Sequence, residues 1–383
     1  MDELTRLLGD LVSIPSVNPM GRPLDGPEIL ETRLSAYLET WFRDHQIPCE
    51  RQPVASGRDN LLACFESTSP ARRLLFDVHQ DTVPTDGMTI APFFPKVEQG
   101  RMYGRGACDI KGGMAAMLLA LRRLCRERPR GAASVVLACT VDEEFTHIGS
   151  SRLALTDHGA DLAIVSEPTR LDLVHCHKGG LRWKIRTRGV ACHSSTPSLG
   201  KNAIYAMSRV IEALVAYAEL LARSPGDPIL GSPCMSVGRI EGGQSVNVVP
   251  DWCEIEIDRR LIPGEEPGEA YDRLRTFLKD RLGNLEEVEF EDPWVSMPPL
   301  SSLLGDWTSP LVHAVKKATG REPALCGAPY GTDAGPLGST GLPCVVFGPG
   351  DIAQAHTCDE WVELDQVRQA AEAYYQIACE LGN

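Results

Sequence analysis

The chain has 383 residues, which is long for one hydrophobic core and suits two domains. Its 43% hydrophobic and 23% charged residues are ordinary for a soluble globular protein, and no run of about 18 apolar residues offers a membrane span. The formal net charge of -14 argues against nucleic acid or an anionic membrane as partner, since either would want a basic face.

The opening MDELTRLLGDLVSIPS is acidic and amphipathic. It lacks the basic start and apolar core of a secretory signal and predicts a helix ending near Pro15. Residues 28–45 repeat apolar positions at helical spacing. RRLLFDV (72–78) reads as a buried strand and DIKGGMAAMLLALRRLCRER (109–128) as a helix with Asp109 as its cap. ASVVLACTV (133–141) reads as a second strand, GSSRLALTDHG (149–159) as a short helix closed by Gly159, and ADLAIV (160–165) as a third strand. Alternating strands and helices predict an α/β domain with a mostly parallel sheet flanked by helices.

The pattern changes near residue 179. LRWKIRTRG (181–189), MSVGRIEGG (235–243), WCEIEIDRRL (252–261) and EEVEFEDP (286–293) read as strands, most of them wet on one face. NAIYAMSRVIEALVAYAELLA (202–222) and AYDRLRTFLKDRL (270–282) read as helices. HAVKKATG, PCVVFGPG and ELDQVRQAAEAYYQIACELG then return to the first style. The expected organisation is therefore one domain over 1–178 and 292–383, with an α+β module inserted at 179–291. The 13 cysteines have no framework spacing and no C-x-x-C pair, so they read as reduced thiols of a cytoplasmic protein.

In a parallel sheet, ligands bind beyond the carboxyl ends of the strands. Just past the predicted elements stand His79 and Asp81, Asp109, Glu143 and Glu144, Glu167, and His356. Each alone has a bland reading: a loop histidine, a helix cap, a solvated acidic pair, a turn before proline. Together they would crowd carboxylates at one sheet edge, which repel unless cations bind. Two histidines and three carboxylates suit two divalent ions a few Å apart, Zn foremost, with Co or Mn as alternatives. Asp81, two residues after His79, is placed to accept the ring's other N–H. Glu143 and Glu144 point opposite ways if extended, so one can ligate while the other acts as general base. His175-Cys176-His177 is a competing cluster, but no third ligand follows it nearby. His147 reads as a loop residue.

HQDTVP, RMYGRGACDIKGGMAAML, TVDEEFTHIGS, SEPT and GPGDIAQAHTCDEW, in this order, resemble the co-catalytic zinc amidohydrolases and exopeptidases. That family includes acetylornithine deacetylase, succinyl-diaminopimelate desuccinylase, aminoacylase and glutamate carboxypeptidases. HQDTVP, APYGTDAGPL and FGPGDIAQAHTCDEW are most similar to the acetylornithine deacetylase branch. The resemblance implies a zinc exopeptidase-like catalytic domain in which His79 and Glu167 hold one ion, Glu144 and His356 the other, and Asp109 bridges. Glu143 would be the general base and Asp81 the carboxylate supporting His79. The inserted module would be a lid that also pairs two subunits into a homodimer. His193 in GVACHSSTPSLGKNAI would stabilise the oxyanion. Asn247 and Arg260 would grip the substrate carboxylate, with the adjacent Arg259 as the alternative. Thr332 would lie in a loop near the substrate.

The implied reaction is metal-dependent hydrolysis of the amide bond of an N-acyl amino acid, with an activated water attacking the acyl carbon and Glu143 shuttling its proton. A di- or carboxypeptidase, or a succinyl-diaminopimelate desuccinylase, would use the same chemistry on another small substrate. A non-catalytic binding protein on this fold should have lost ligands, and all of them are present.

Overall fold

The computed structural model describes residues 2–68, 72–283, 285–301 and 304–382. Two compact units emerge. The first comprises 1–176, 302–327 and 332–383, and the second 177–301 with 328–331.

The first unit begins with α1 (Glu3–Ser13), capped by the Asp2 side chain on the Thr5 N–H, and α2 (Thr32–Asp44). β1 (Cys49–Ala55) and β2 (Arg58–Phe65) form a hairpin where the sequence had suggested no element. β1 is mostly exposed and carries Pro53, so it lacks the apolar run that marks a buried strand. β3 (Arg73–His79), β6 (Ser134–Thr140) and β7 (Leu162–Val165) follow, with β4 (Lys96–Glu98) and β5 (Arg101–Tyr103) in a small separate sheet. α3 (Gly112–Glu127) and α4 (Ile148–Ala154) lie between these strands in the chain. β8 (Leu173–His177) closes this part of the chain.

The eight-stranded sheet also takes β14 (Leu325–Ala328) and β15 (Cys344–Val346), in the order β1-β2-β6-β3-β7-β15-β8-β14. Its four central strands, β6-β3-β7-β15, run parallel, while β1, β2 and β8 join antiparallel. β6, β7 and β15 are buried along their whole length, as expected for strands covered on both faces. α7 (Thr308–Thr319) and α9 (Leu364–Glu380) pack on one another, and α9 on α3. The small helix α8 (Ala334–Gly338) and β16 (Trp361–Glu363) complete the unit. This is the α/β architecture expected from the alternating pattern, parallel at its core.

Two expected helix ends move. Asp109 does not cap α3: it stands in an irregular turn over Ala107–Lys111, and Lys111 precedes the helix. The helix after residue 148 stops at Ala154, four residues before the chain reaches His158, and Gly159 (φ 62) turns the loop beyond it. All thirteen cysteines are free thiols.

The second unit is α+β. β9 (Gly179–Arg188), β10 (Cys234–Gly242), β11 (Trp252–Leu261) and β12 (Val288–Phe290) form an antiparallel sheet in the order β10-β11-β9-β12. β13 (Val295–Met297) also pairs with β9, so strand pairing continues past residue 291. β11 alternates half-buried and buried residues without a break, the mark of a strand wet on one face. Its inward Cys253, Ile255 and Ile257 join Trp183 and Ile185 of β9 in a core closed by α5 (Ala203–Arg223) and α6 (Pro267–Leu282).

Candidate active site

In the first unit the strand ends carry the donors. His79 is the last residue of β3 and is in register with Thr140, the last of β6. Glu143 and Glu144 follow β6, and Glu167 follows β7. Two glycines allow this convergence. A Cβ on Gly113, in the first turn of α3, would come within 2.0 Å of Ser166 Oγ, and one on Gly348 within 2.6 Å of the Glu167 carbonyl oxygen. Only a bare backbone lets α3 and the segment after β15 approach the end of β7 this closely.

One carboxylate faces two histidines. Asp109 Oδ1 lies 3.1 Å from His79 Nε2, and Asp109 Oδ2 lies 3.4 Å from His356 Nε2. His356 Nε2 is also 3.0 Å from Glu144 Oε2. The donors form two groups that share Asp109: His79, Asp109 and Glu167 in one, and Asp109, Glu144 and His356 in the other. Within each group the donor atoms lie within 4.8 Å of one another. All five residues nominated as ligands from the sequence fall in these groups. Among the described residues, His175 and His177 fall in none. They stand on β8, an outer strand of the sheet, with His177 fully buried.

The donor set suits divalent ions: imidazole nitrogens and carboxylate oxygens are what zinc and its neighbours take. Glu144 Oε1 and Glu167 Oε1 are buried with no hydrogen-bond partner among the described residues. Such oxygens are costly unless a cation or proton satisfies them. The titration shifts point the same way. Burial, reinforced by the Asp109 charge, raises Glu167 and Glu144, Glu167 well above the carboxylate range. Hydrogen bonds to Asp109 and Glu144 raise His356 to about 11. Burial opposes charge on His79, yet Asp109 and Asp81 raise it well above its ordinary value. The whole cluster draws in positive charge.

Asp81 acts differently from the sequence expectation. His79 Nδ1 donates to the main-chain carbonyl of Asp81 at 2.9 Å, while the Asp81 carboxylate stands 3.6 Å away. That carboxylate accepts instead the N–H of Glu143 on Oδ1 and the N–H of Glu144 on Oδ2, each at 3.1 Å. It thus fixes both acidic residues through their backbone. Asn18 Nδ2 adds 2.8 Å to Asp81 and 2.9 Å to Asp142. Arg58 bonds Asp142 and grips Glu31 with two nitrogens. Burial tends to raise Asp81, but His79, Arg58 and Asn18 hold it at about 2. Glu143 is buried, and burial with the nearby Glu167 charge raises its carboxyl well above the usual range.

Several contributors gave no signal in the sequence. Glu360, in HTCDEW, reads as a surface acid yet is fully buried. It accepts the N–H of Gly106, Cys108 and Asp109 at 2.9–3.0 Å and pairs with Arg105 at 2.7 Å. The turn it organises is why Asp109 presents its carboxylate to two histidines rather than capping α3. Arg58 and Asn18 were equally hidden, because Asp142, their shared partner, lies 84 and 124 residues away and is joined to them only by the fold, and His147, read from the sequence as a loop residue, is instead buried against Asp333.

The remaining candidates divide between the units. Thr332, in the first unit, is fully buried, and its Oγ1 accepts the Ala334 N–H at 3.1 Å. In the second unit His193 and Asn247 are exposed and share one strip of backbone. The Ser194 N–H donates to the Asn247 carbonyl at 3.0 Å, and the Val249 N–H to the Cys192 carbonyl at 2.8 Å. Ser195 donates its N–H to His193 Nδ1, so the neutral ring carries its proton on Nε2. Arg259 and Arg260 face opposite sides of β11. Arg259 is buried and pairs with Glu265 at 2.7 Å, whereas Arg260 is half-exposed and pairs with Asp258 at 2.7 Å.

The chain is similar to known proteins over most of its length. The family described as Peptidase family M20/M25/M40 matches residues 75–380. A protein of Erwinia tasmaniensis named acetylornithine deacetylase is 32% identical over 377 residues, covering 96% of this chain and 94% of that protein. One of the same name from Pectobacterium carotovorum is 31% identical with the same coverage. Among solved structures, an M20 family metallo-carboxypeptidase from Sulfolobus solfataricus superposes with a TM-score of 0.82 at 19% identity, over 99% of both chains. A dinuclear metal binding peptidase from Bacillus subtilis superposes with a TM-score of 0.69 at 16% identity, over 99% of this chain and 97% of its own.

Proposed function

The chain belongs to peptidase family M20/M25/M40, a family of metal-dependent amide hydrolases, and from that premise we propose that it removes the acyl group from an N-acyl amino acid, as an acetylornithine deacetylase does. The observation that carries the reading is Asp109, whose two oxygens each face a different histidine within a five-donor cluster beside Glu143.

His79 and Glu167 would hold one divalent ion and Glu144 and His356 the other, with Asp109 between them. Such ions supply a Lewis acid for the acyl carbonyl and water of lowered pKa. Glu143 takes the proton of the attacking water and returns it to the leaving amine nitrogen. His193 donates from Nε2 to the oxyanion, consistent with its Nδ1 being occupied by Ser195. Arg260 rather than Arg259 takes the substrate carboxylate, because Arg259 is buried and committed to Glu265. Asn247 and Thr332 complete the substrate contacts.

We read the second unit as a lid that also pairs two copies. Its edge strand β10 and helix α5 expose Ile240, Tyr205, Val215 and Leu220, apolar surface that a second copy would cover. Light scattering should give a dimer, and a monomer would remove that part of the reading.

The deciding assay compares N-acetyl-ornithine, N-succinyl-diaminopimelate and a dipeptide panel on protein reconstituted with zinc, cobalt or manganese. Fastest turnover of N-acetyl-ornithine supports the proposal. Preference for a dipeptide would make the protein a peptidase with the same residue roles.

A further inference from the structure

We infer that His147, anchored by Asp333, is a positioning residue that holds the Glu143 carboxylate in place for proton transfer. The inference rests on Glu143 being the base, and it concerns residues that the ligand groups do not use.

Asp333 is almost completely buried, and both its oxygens are engaged. Thr140 Oγ1 donates to Oδ2 at 2.9 Å, and Ser150 Oγ donates to Oδ1 at 2.6 Å. His147 Nδ1 lies 3.0 Å from the same Oδ1. An ionised carboxylate only accepts, so Nδ1 carries the proton and the ring orientation is fixed. The same Nδ1 faces Glu143 Oε1 at 3.8 Å. Glu143 is held through its backbone N–H by Asp81, and the His147 ring stands beside its carboxylate. At 3.8 Å the second contact is not yet a hydrogen bond; contacts of this kind often shorten when substrate binds.

The backbone is bent to deliver the ring. His147 adopts φ 57, which non-glycine residues rarely take, and its N–H closes a turn onto the Asp142 carbonyl at 2.8 Å. A loop histidine with no task would not be expected to keep this conformation while buried and bonded on Nδ1. Glu143, His147 and Asp333 also have the spacing of a third ion site. The three hydrogen bonds already made to Asp333 favour a finished hydrogen-bond array instead.

Two substitutions separate ring from backbone. Glycine accepts the left-handed conformation without strain, so His147→Gly removes the ring alone. Asparagine also tolerates it, and its Nδ2 can stand in for the imidazole Nδ1–H. With metal-loaded protein, His147→Gly should lower kcat by about 10- to 100-fold with KM little changed, the loss typical of outer partners at such centres. Elemental analysis should show the same metal content in wild type and variant, and His147→Asn should recover most of the lost kcat. Unchanged kcat in His147→Gly, no recovery in His147→Asn, or loss of a metal equivalent in either would overturn the inference. Glu143→Gln is the reference. If it keeps turnover, the base assignment itself fails. If it loses turnover while His147→Gly does not, only the positioning role fails.

Discussion

The two units hold their polar residues by opposite means. In the first, His79, Asp109, Glu143 and Glu167 are buried, and His79, Asp109 and Glu143 are bonded to partners remote in sequence. In the second, His193 and Asn247 are exposed and held by neighbours two residues away: Ser195 bonds His193, and Ser245 bonds Asn247. The buried set is largely held in place, and the oxygens left without a partner, Glu144 Oε1 and Glu167 Oε1, are the ones a cation or proton would satisfy. The exposed set can rearrange at small cost. Substitutions in the first unit should therefore strike turnover and metal binding, and those in the second should act through transition-state or substrate contacts.

The largest effect is expected from Glu143→Gln. Turnover should fall about 100- to 10,000-fold with bound metal retained, as for loss of a general base. Parallel loss of metal would show that Glu143 is a ligand and blur the distinction between the residues that hold ions and the one that moves protons.

His193→Ala comes next, with an expected fall in kcat of about 100- to 1,000-fold from one lost oxyanion donor. Metal content and melting temperature should not change, since the ring is exposed and bonded only locally. A comparable drop in metal content would erase the contrast between the units.

The adjacent arginines give a sharper test. Arg260→Ala should raise KM about 10- to 100-fold, the value of a charge-assisted hydrogen bond, at unchanged stability. Arg259→Ala should instead destabilise the protein, by about 2–4 kcal/mol, because it empties the space of a buried side chain and removes its ion pair with Glu265, which keeps Arg273 and the Ile262 N–H. Urea unfolding and steady-state kinetics on the pair would expose an exchange of roles.

The smallest effect is expected at His175→Ala, which should leave metal content unchanged, whereas Glu167→Ala should cost at least one equivalent. Dialysis and elemental analysis of both variants check this, and the reverse result would move the centre to β8.

Much of the first unit was legible because strands buried on both faces read as apolar runs, as β3, β6 and β7 do. The hairpin's first strand, β1, was not, since an exposed strand with a proline has neither run nor clean alternation, and β2, although its Leu61–Phe65 run is mostly buried, begins with the polar Arg58, Asp59 and Asn60. The donors were legible for a related reason. A His or carboxylate directly after a buried strand has one place to go, the strand's carboxyl end. Residues that act through others left no such trace. Glu360 and Arg58 look like ordinary surface charges until the fold buries them against partners from other elements.

The sequence by itself determined the change of element style along the chain, the strand-end positions of the candidate donors and the family motifs, because periodicity and strand-end position are local properties. The tertiary structure alone decided that the Asp81 carboxylate serves the backbone of Glu143 and Glu144 while its carbonyl serves His79. It alone decided that Asp109 leaves its helix to face two histidines, and that His147 turns inward onto Asp333. Each choice depends on which donors meet which acceptors in a space where an unpaired polar group is costly, and that pairing exists only once the chain is folded.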